Sequence, residues 1–336
     1  LQCDGFLTAE LCYPFLMRLV PWTLGFGIAL LAAGTASAQP ESPGPFAVET
    51  WDAGTVDAAG AGLPTMVYFT AGGGGPYPVV GVIHGSTRSR AYMRVLSETL
   101  ASRGLIAVTP TIPCTIVRCD HDENAAQLSA LLDWAVAQGS TPGSPLDGLA
   151  DGERRGLVGH SFGALASHLT ASRDDRIDVL VLLDPNDDLG VGAAATGGIL
   201  APTLQLLAES SGVCNNQWNE GSITPLLPEP HLQLTIPRSG HCDPEDPTDA
   251  LCALVCGGGD PATTSIFRRY AVAWLACVLN TDEEVAPWLG GASFDDDLAG
   301  GVIGGVASAG LDALPCRTPP AADADADAGE DVVDDA

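Results

Sequence analysis

The sequence predicts an α/β fold in which a mostly parallel sheet is covered by helices on both faces. Short apolar runs of strand length alternate along the 336 residues with segments whose apolar residues recur at helical spacing, and this alternation is typical of such sheets. Polar residues with catalytic potential follow three of the apolar runs. Ligand sites of parallel sheets lie at those carboxyl ends of the strands.

The first predicted elements are two strands over residues 46–51 and 66–70, which we expect to pair as an antiparallel hairpin at the sheet edge. Residues 78–83 are continuously apolar and end at His84, as expected of a central parallel strand. A predicted helix and strand follow over residues 89–102 and 105–108. The next helix is indicated by apolar residues at i, i+3, i+4, i+7 and i+8, namely Leu128, Leu131, Leu132, Ala135 and Val136.

The second half of the fold is predicted to contain four more strands. They lie over residues 156–158, Val179–Leu183, 203–208 and 232–236. The last predicted helix is the clearest, because its apolar residues share one face: Phe267, Tyr270, Ala271, Trp274, Leu275 and Val278. Only short segments separate the late strands, so we expect no large helical lid.

A Gly-x-Ser-x-Gly pentapeptide, Gly159-His160-Ser161-Phe162-Gly163, lies between a predicted strand and a predicted helix. A serine on so sharp a turn adopts a strained backbone angle, and the two glycines let the strand and the helix approach closely. The hydroxyl then projects above the sheet. This context favours a nucleophilic serine over the alternative, an ordinary structural turn.

Two further polar residues follow predicted strands at the same edge of the sheet. Asp184 comes directly after Val179–Leu183, and His241 follows residues 232–236 after a short turn. The chain order serine, aspartate, histidine is that of a nucleophile-elbow enzyme. In that interpretation His241 takes the proton of Ser161, and Asp184 orients the imidazole and stabilises its charged form.

Each assignment has an alternative. Asp184 precedes Pro185 and could cap a turn, while His241 could be a surface histidine. If Asp184 is not the acid of the triad, the candidates for that role are Asp187, Asp188 and Glu209.

An oxyanion hole is expected from two backbone amides. One is the N–H of Phe162, the residue after the nucleophile, and the other is the N–H of Ser86, in the loop after the first central strand. His84, at the end of that strand, is interpreted as a structural residue that anchors the loop.

The composition excludes several classes of partner and cofactor. The formal net charge of −28 argues against binding of nucleic acid. No phosphate loop or dinucleotide fingerprint is present, and residues 71–76 are predicted to form a turn before a strand. Cys-x-x-Cys pairs are absent, which disfavours zinc. The acidic residues within the segment 120–124 are better explained as the N-terminus of a helix than as ligands of a calcium ion. No cofactor or metal is therefore expected.

The amino-terminal residues predict a processed segment. Residues 1–16 are interpreted as a spurious extension before Met17, and residues 17–38 as a signal peptide with a small-x-small cleavage site that ends at Ala38. The alternative is an uncleaved membrane anchor. We expect a catalytic domain over residues 39–318, a disordered acidic tail over 319–336, and a secreted or periplasmic monomer without a transmembrane segment.

Eight of the ten cysteines lie after the predicted cleavage site, and an even number in an exported chain favours disulfides. Cys114 and Cys119 are close enough to staple one loop, and Cys277 is expected to pair with Cys316. The pattern leaves the pairing of the other four open.

The residues resemble the exported, lidless α/β-hydrolases: chlorophyllases, bacterial polyester hydrolases of the cutinase-like type and platelet-activating-factor acetylhydrolases. The similar segments cover residues 79–279, and their most specific parts are residues 84–85, 96–110, 127–134, 240–243 and 270–275. The resemblance implies the α/β-hydrolase fold, Ser161 as nucleophile, Asp184 as acid, His241 as base, and a small-molecule or lipid-like ester as substrate.

Two residues depart from these families. Polyester hydrolases carry their acid after the following strand, in a segment that matches residues 209–216 and holds no Asp here. This favours Asp184, the position in chlorophyllases and acetylhydrolases, and disfavours a polymer substrate. Ala164 replaces a customary glycine. The sequence thus predicts an exported serine hydrolase that cleaves carboxylic esters through an acyl-enzyme; the alternatives are an inactive hydrolase-like binding protein, a polyester hydrolase or a peptidase.

Overall fold

A computed structural model describes residues 39–72, 74–210, 214 and 223–317 of the chain. The predicted extension at 1–16, the signal peptide at 17–38 and the acidic tail at 319–336 lie outside these residues. The limits of the catalytic domain therefore stay a prediction. Within the described ranges, no helix combines the length and the apolar character that crossing a membrane requires.

The core of the fold is a nine-stranded sheet. In chain order the strands are β1 (Val48–Ala58), β2 (Ala61–Thr70), β3 (Tyr77–Ile83), β4 (Ile106–Pro110), β5 (Cys114–Thr115), β6 (Arg118–Cys119), β7 (Ala150–His160), β8 (Val179–Leu183), β9 (Thr203–Ser210), β10 (His231–Gly240) and β11 (Gly304–Ala309). The sheet order is β1-β2-β4-β3-β7-β8-β9-β10-β11, and β5 and β6 form a separate hairpin. The six strands from β4 to β10 are parallel, whereas both edges are antiparallel.

The helices are α1 (Arg94–Ala101), α2 (His121–Gln138), α3 (Phe162–Ala171), α4 (Val191–Ala195), α5 (Ala250–Cys256), α6 (Pro261–Asn280) and α7 (Ala292–Ala299). Short 3₁₀ turns lie at Arg90–Met93, Thr196–Gly198, Thr224–Leu226, Glu283–Trp288 and Leu311–Ala313. Asp120 caps α2 and accepts the N–H of Glu123 at 3.0 Å. This confirms the helix N-terminus predicted for the acidic residues there.

Helices cover both faces of the sheet, because each buried strand divides its side chains between two layers. In β8, Val179, Val181 and Leu183 pack in the core layer that contains α1 and α6. Leu180 and Leu182 pack in the opposite layer, with α2 and α3. The predicted α/β-hydrolase fold with a mostly parallel sheet is confirmed.

The early strands are longer than the sequence predicted. β1 and β2 pair antiparallel from Val48↔Thr70 to Ala58↔Ala61, and β1 is an edge strand, as expected.

After α6, the last helix predicted from the sequence, the chain adds α7 and then β11, which pairs antiparallel with β10. β11 is built largely of glycine, alanine and serine, so it shows none of the apolar alternation that marks a strand.

Four disulfides connect the eight cysteines of the described residues. The pairs Cys114–Cys119 and Cys277–Cys316 are confirmed. The cysteines whose pairing was open form Cys214–Cys256 and Cys242–Cys252. Both of these bonds involve α5.

Candidate active site

Ser161 occupies the sharp turn between β7 and α3. Its φ of +56° is unusual for a residue with a side chain, and such angles persist only where the surrounding structure holds them. The Ser161 amide donates to the carbonyl of Leu183 at 3.1 Å, which ties the turn to the end of β8. The predicted strand–turn–helix context of the pentapeptide is therefore present.

The two glycines of the pentapeptide make this turn sterically possible. A Cβ atom at Gly159 would overlap the carbonyl oxygen of Gly163, and one at Gly163 would overlap the carbonyl oxygen of His84. In both cases the obstacle is backbone, which cannot rotate away as a side chain can. α3 therefore packs directly against the end of β3.

We expect Gly163→Ala to lower the free energy of unfolding by about 2–3 kcal/mol, the usual cost of overpacking a tight interior. Alanine is otherwise the better helix former, by up to about 1 kcal/mol, so a loss reports the clash alone. Urea denaturation followed by circular dichroism measures the change. Gly197→Ala is the matched control, because a Cβ there meets no atom within 4 Å; equal stability of the two variants would contradict the prediction.

The structure brings Ser161, His241 and Asp184 together. His241 Nε2 lies 2.9 Å from Ser161 Oγ, and His241 Nδ1 lies 2.5 Å from Asp184 Oδ2. The arrangement fits a neutral imidazole whose Nδ1–H donates to the carboxylate while Nε2 accepts the serine hydroxyl. All three residues are buried, Asp184 completely.

Asp184 is oriented by both of its oxygens. Oδ2 faces His241, and Oδ1 accepts the backbone N–H of Ala208 at 3.0 Å. The Asp184 amide donates to the carbonyl of Leu206 at 2.6 Å, so the residue is fixed to β9 as well as to β8. The structure thus places this carboxylate against the imidazole, not in a turn cap before Pro185.

The environment of His241 lowers its pKa below the ordinary value of 6.5. Burial is the largest cause, because it disfavours the charged imidazolium, whereas the hydrogen bond and the charge of Asp184 act in the opposite direction. The imidazole is therefore neutral near pH 7. A neutral imidazole can accept a proton, which a general base requires.

The backbone of His241 is held on both sides. Its N–H donates to the carbonyl of Cys256 at 3.1 Å, and its carbonyl accepts from His160 Nε2 at 2.7 Å. His160 Nδ1 lies 3.5 Å from buried Glu245, which binds the guanidinium of Arg88. Burial tends to raise the pKa of the Glu245 carboxyl, but the neighbouring His160 ring and the hydrogen bonds and charge of Arg88 outweigh burial and lower it.

Sequence reasoning missed Arg88 and Glu245, and it gave His160 no separate role. Arg88 and Glu245 are 157 positions apart and belong to no motif. For His160, its place directly before Ser161 in the pentapeptide was the available signal. His160 contacts the backbone of His241 directly, and Glu245 and Arg88 contact it through His160.

Ser161 and His241 open into a cavity of about 450 Å³. The residues expected to form the oxyanion hole, Ser86 and Phe162, line the same cavity. A Cβ atom at Gly85 would lie 3.1 Å from Ser161 Cβ, so the loop that carries Ser86 passes close to the serine. The oxyanion assignment itself stays a prediction.

His84 has the structural environment that its position suggested. Its Nε2 accepts the N–H of Ile112 at 3.0 Å, and its Nδ1 donates to the carbonyl of Gly85 at 2.6 Å. Burial lowers its pKa to about 4, so the ring is neutral at physiological pH. His84 thus anchors the loop before Ser86.

The alternative candidates for the triad acid, Asp187, Asp188 and Glu209, contact groups other than His241. Asp187 accepts the amides of Gly192 and Ala193 at 2.6 and 3.1 Å and so caps α4. Asp188 lies 3.4 Å from His121 Nε2, and Glu209 accepts the amide of Arg238. Asp184 is therefore the acid that the geometry favours.

The comparisons with known proteins identify a family. A family model described as PET hydrolase-like matches residues 32–224, which is more than half of the chain. The matched residues include Ser161 and Asp184 and end before His241. No curated protein matches the sequence significantly.

Proposed function

The chain belongs to the PET hydrolase-like family of the α/β-hydrolase superfamily, and from this premise we propose that it is an exported serine esterase that cleaves carboxylic esters through an acyl-enzyme. Membership in the family makes it a hydrolase that acts on esters. The observation that carries the finer proposal is the hydrogen-bonded series from Ser161 through His241 to Asp184.

In the proposed acylation step, Ser161 Oγ attacks the ester carbonyl carbon while His241 Nε2 takes the hydroxyl proton. The carbonyl oxygen becomes an oxyanion, which the amides of Ser86 and Phe162 stabilise; such donors typically contribute about 3 kcal/mol each. Asp184 stabilises the imidazolium that forms. The tetrahedral intermediate then collapses, the carbon–oxygen bond to the alcohol breaks, and His241 gives its proton to the departing alcohol.

Deacylation repeats the same chemistry with water. His241 takes a proton from a water molecule that attacks the acyl-enzyme carbonyl, and it returns that proton to Ser161 Oγ as the acid product leaves. Each proton taken in one half-reaction is returned in that half-reaction, so the enzyme is regenerated. These steps use only residues of this chain.

Covalent labelling tests the proposal most directly. The purified protein is incubated with a fluorophosphonate probe, and tryptic peptides are analysed by mass spectrometry, while turnover is followed with 4-nitrophenyl butyrate. We expect one phosphonyl adduct, on the peptide that contains Ser161, together with loss of turnover. A native protein that neither turns over esters nor takes up the probe would favour the alternative, a hydrolase-like protein that only binds.

The pH dependence follows from the environment of His241. We expect kcat/KM for an uncharged ester to rise with pH through a midpoint below 6.5, because burial lowers the pKa of the base and only its neutral form accepts the serine proton. The measurement is a pH–rate profile with two uncharged esters of different reactivity, whose midpoints should coincide. A shared midpoint at 6.5 or above would contradict the assignment of a buried base.

Polyester cleavage is the second candidate function, and the match to the PET hydrolase-like family is the observation that favours it. The position of Asp184 one strand earlier than in the polyester hydrolases favours small esters instead. Incubation with a polyester film beside 4-nitrophenyl esters separates the two, since release of soluble monomers from the film occurs only for the polymer enzyme.

Export is supported by the four disulfides, because such bonds persist in oxidising compartments and are rare in the cytosol. The predicted signal peptide at residues 17–38 provides the route. Amino-terminal sequencing of protein recovered outside the cytoplasm, with residue 39 as the first residue, is the corresponding observation.

A further inference from the structure

Two apolar projections border the cavity that contains Ser161. One is the tip of the β5–β6 hairpin, where Ile116 and Val117 are 79% and 94% exposed. The other is α5, where Leu251 and Leu254 are 71% and 83% exposed and Val255 is also exposed. Ile116, Leu251 and Val255 line the cavity itself. Large aliphatic side chains from two separate segments therefore line the cavity that contains Ser161.

α5 is held in place by disulfides and hydrogen bonds, and not by a buried face. None of its residues is buried. Cys252 bonds to Cys242, which is next to His241, and Cys256 bonds to Cys214. Asp249 caps the helix by accepting the amides of Leu251 and Cys252, and it binds Arg88 at 2.7 Å. The aliphatic face of α5 is thus fixed at the cavity although none of its residues is fully buried.

The hairpin is fixed in a similar way. The Cys114–Cys119 disulfide closes it, and the carbonyl of Cys114 accepts the amide of Thr87, in the loop that carries Ser86. Ile116 is consequently attached to the expected oxyanion loop, while Leu251 and Val255 are attached to the loop of the base. Exposed aliphatic surface lowers stability in water unless a ligand covers it, and the open space between these side chains is the cavity above Ser161.

The charges around the cavity are already paired. Arg88 is the one arginine or lysine among the described residues that line it, and Glu245 and Asp249 both bind its guanidinium. A carboxylate on a substrate would therefore find no unpaired arginine or lysine among the described residues of the cavity wall. The overall charge of −28 also repels anions.

We propose that the cavity is specific for uncharged esters with an aliphatic chain, and that this chain lies between Ile116 on one side and Leu251 and Val255 on the other. This inference rests on the proposed esterase function and names its substrate class. A flexible chain covers aliphatic side chains that are otherwise exposed to water, and the uncharged substrate avoids the repulsion that an anion meets.

Variants of the two projections test the proposal. Ile116→Ser and Leu251→Ser are compared with Leu200→Ser, a matched control because Leu200 is 70% exposed and does not line the cavity. The substrates are 4-nitrophenyl acetate and octanoate, which vary the acyl chain, and methyl and octyl acetate, which vary the alcohol. All are used below the concentration at which they aggregate.

We expect native enzyme to prefer the long chain in at least one series, and each cavity variant to reduce that preference about tenfold, the effect of lost apolar contacts in a binding pocket. The control should keep the native ratio. Unchanged long-to-short ratios in both cavity variants would overturn the inference while leaving the esterase function intact. A native protein inactive on all four esters would overturn the esterase function as well.

A charged substrate tests the second part of the proposal. The half-ester 4-nitrophenyl adipate and the neutral 4-nitrophenyl hexanoate have acyl chains of the same length. We expect kcat/KM to be at least about tenfold lower for the half-ester, at high salt as well as low salt, because the part of the cavity wall that the structure describes holds no unpaired arginine or lysine. Equal rates for the two esters at high salt would contradict specificity for uncharged substrates.

Discussion

Ser161→Ala is expected to lower kcat for 4-nitrophenyl butyrate by roughly 10⁵-fold or more and to abolish labelling by a fluorophosphonate. Removal of the nucleophile from a serine hydrolase costs about 10⁶-fold, and the residual rate comes from the oxyanion hole and from substrate binding. The loss should appear in kcat, with little change in KM, because the hydroxyl acts on the transition state more than on the bound ester.

The control must separate catalysis from folding. Ser161 and its alanine replacement have the same backbone requirement at a φ of +56°, so their thermal unfolding should nearly coincide. Ser97→Ala removes another buried serine hydroxyl, which bonds Met93 and Thr109 within the core, and it should retain full activity. Native turnover in Ser161→Ala would refute the proposed nucleophile, and inactivity of Ser97→Ala would point to a general folding defect.

The strands that position the site were predictable because each contains an apolar stretch whose side chains are buried in the core. Val179–Leu183 is a continuous apolar run that the structure reproduces residue for residue. Once β7, β8 and β10 are parallel strands of one sheet, Ser161, Asp184 and His241 must emerge at the same edge. The proximity of these residues can be predicted from the positions of the strand ends, without knowing the structure of the loops between the strands.

The walls of the site were not predictable by the same reasoning. α5 has seven residues and no buried face, so it leaves no helical periodicity in the sequence. Its position depends on disulfides, and the spacing of the cysteines in the sequence does not determine how they pair. The contact between Arg88 and Glu245 likewise depends on tertiary structure. The proposed catalytic residues were therefore accessible from the sequence, whereas the surface proposed to select the substrate was not.

Asp184→Asn is expected to lower kcat about 10⁴-fold, as for the aspartate of other serine triads. Asp184 accepts the Ala208 N–H through Oδ1 and the His241 Nδ1–H through Oδ2. Asparagine has only one acceptor oxygen. If that oxygen stays on the buried Ala208 amide, the NH₂ group faces Nδ1 and favours the tautomer with hydrogen on Nε2, which cannot take the Ser161 proton.

Asp187→Asn is the matched control, because Asp187 is the next buried carboxylate along the chain and caps α4. It should lose stability through the weaker cap and keep kcat within about threefold, since carboxylate-to-amide replacement there leaves the imidazole untouched. The pH profile gives a second readout. Asp184 raises the pKa of His241 against the effect of burial, so the residual activity of Asp184→Asn should rise through a midpoint below that of native enzyme. A large loss in Asp187→Asn with none in Asp184→Asn would move the acid to the later position and leave Asp184 a structural residue at the end of β8.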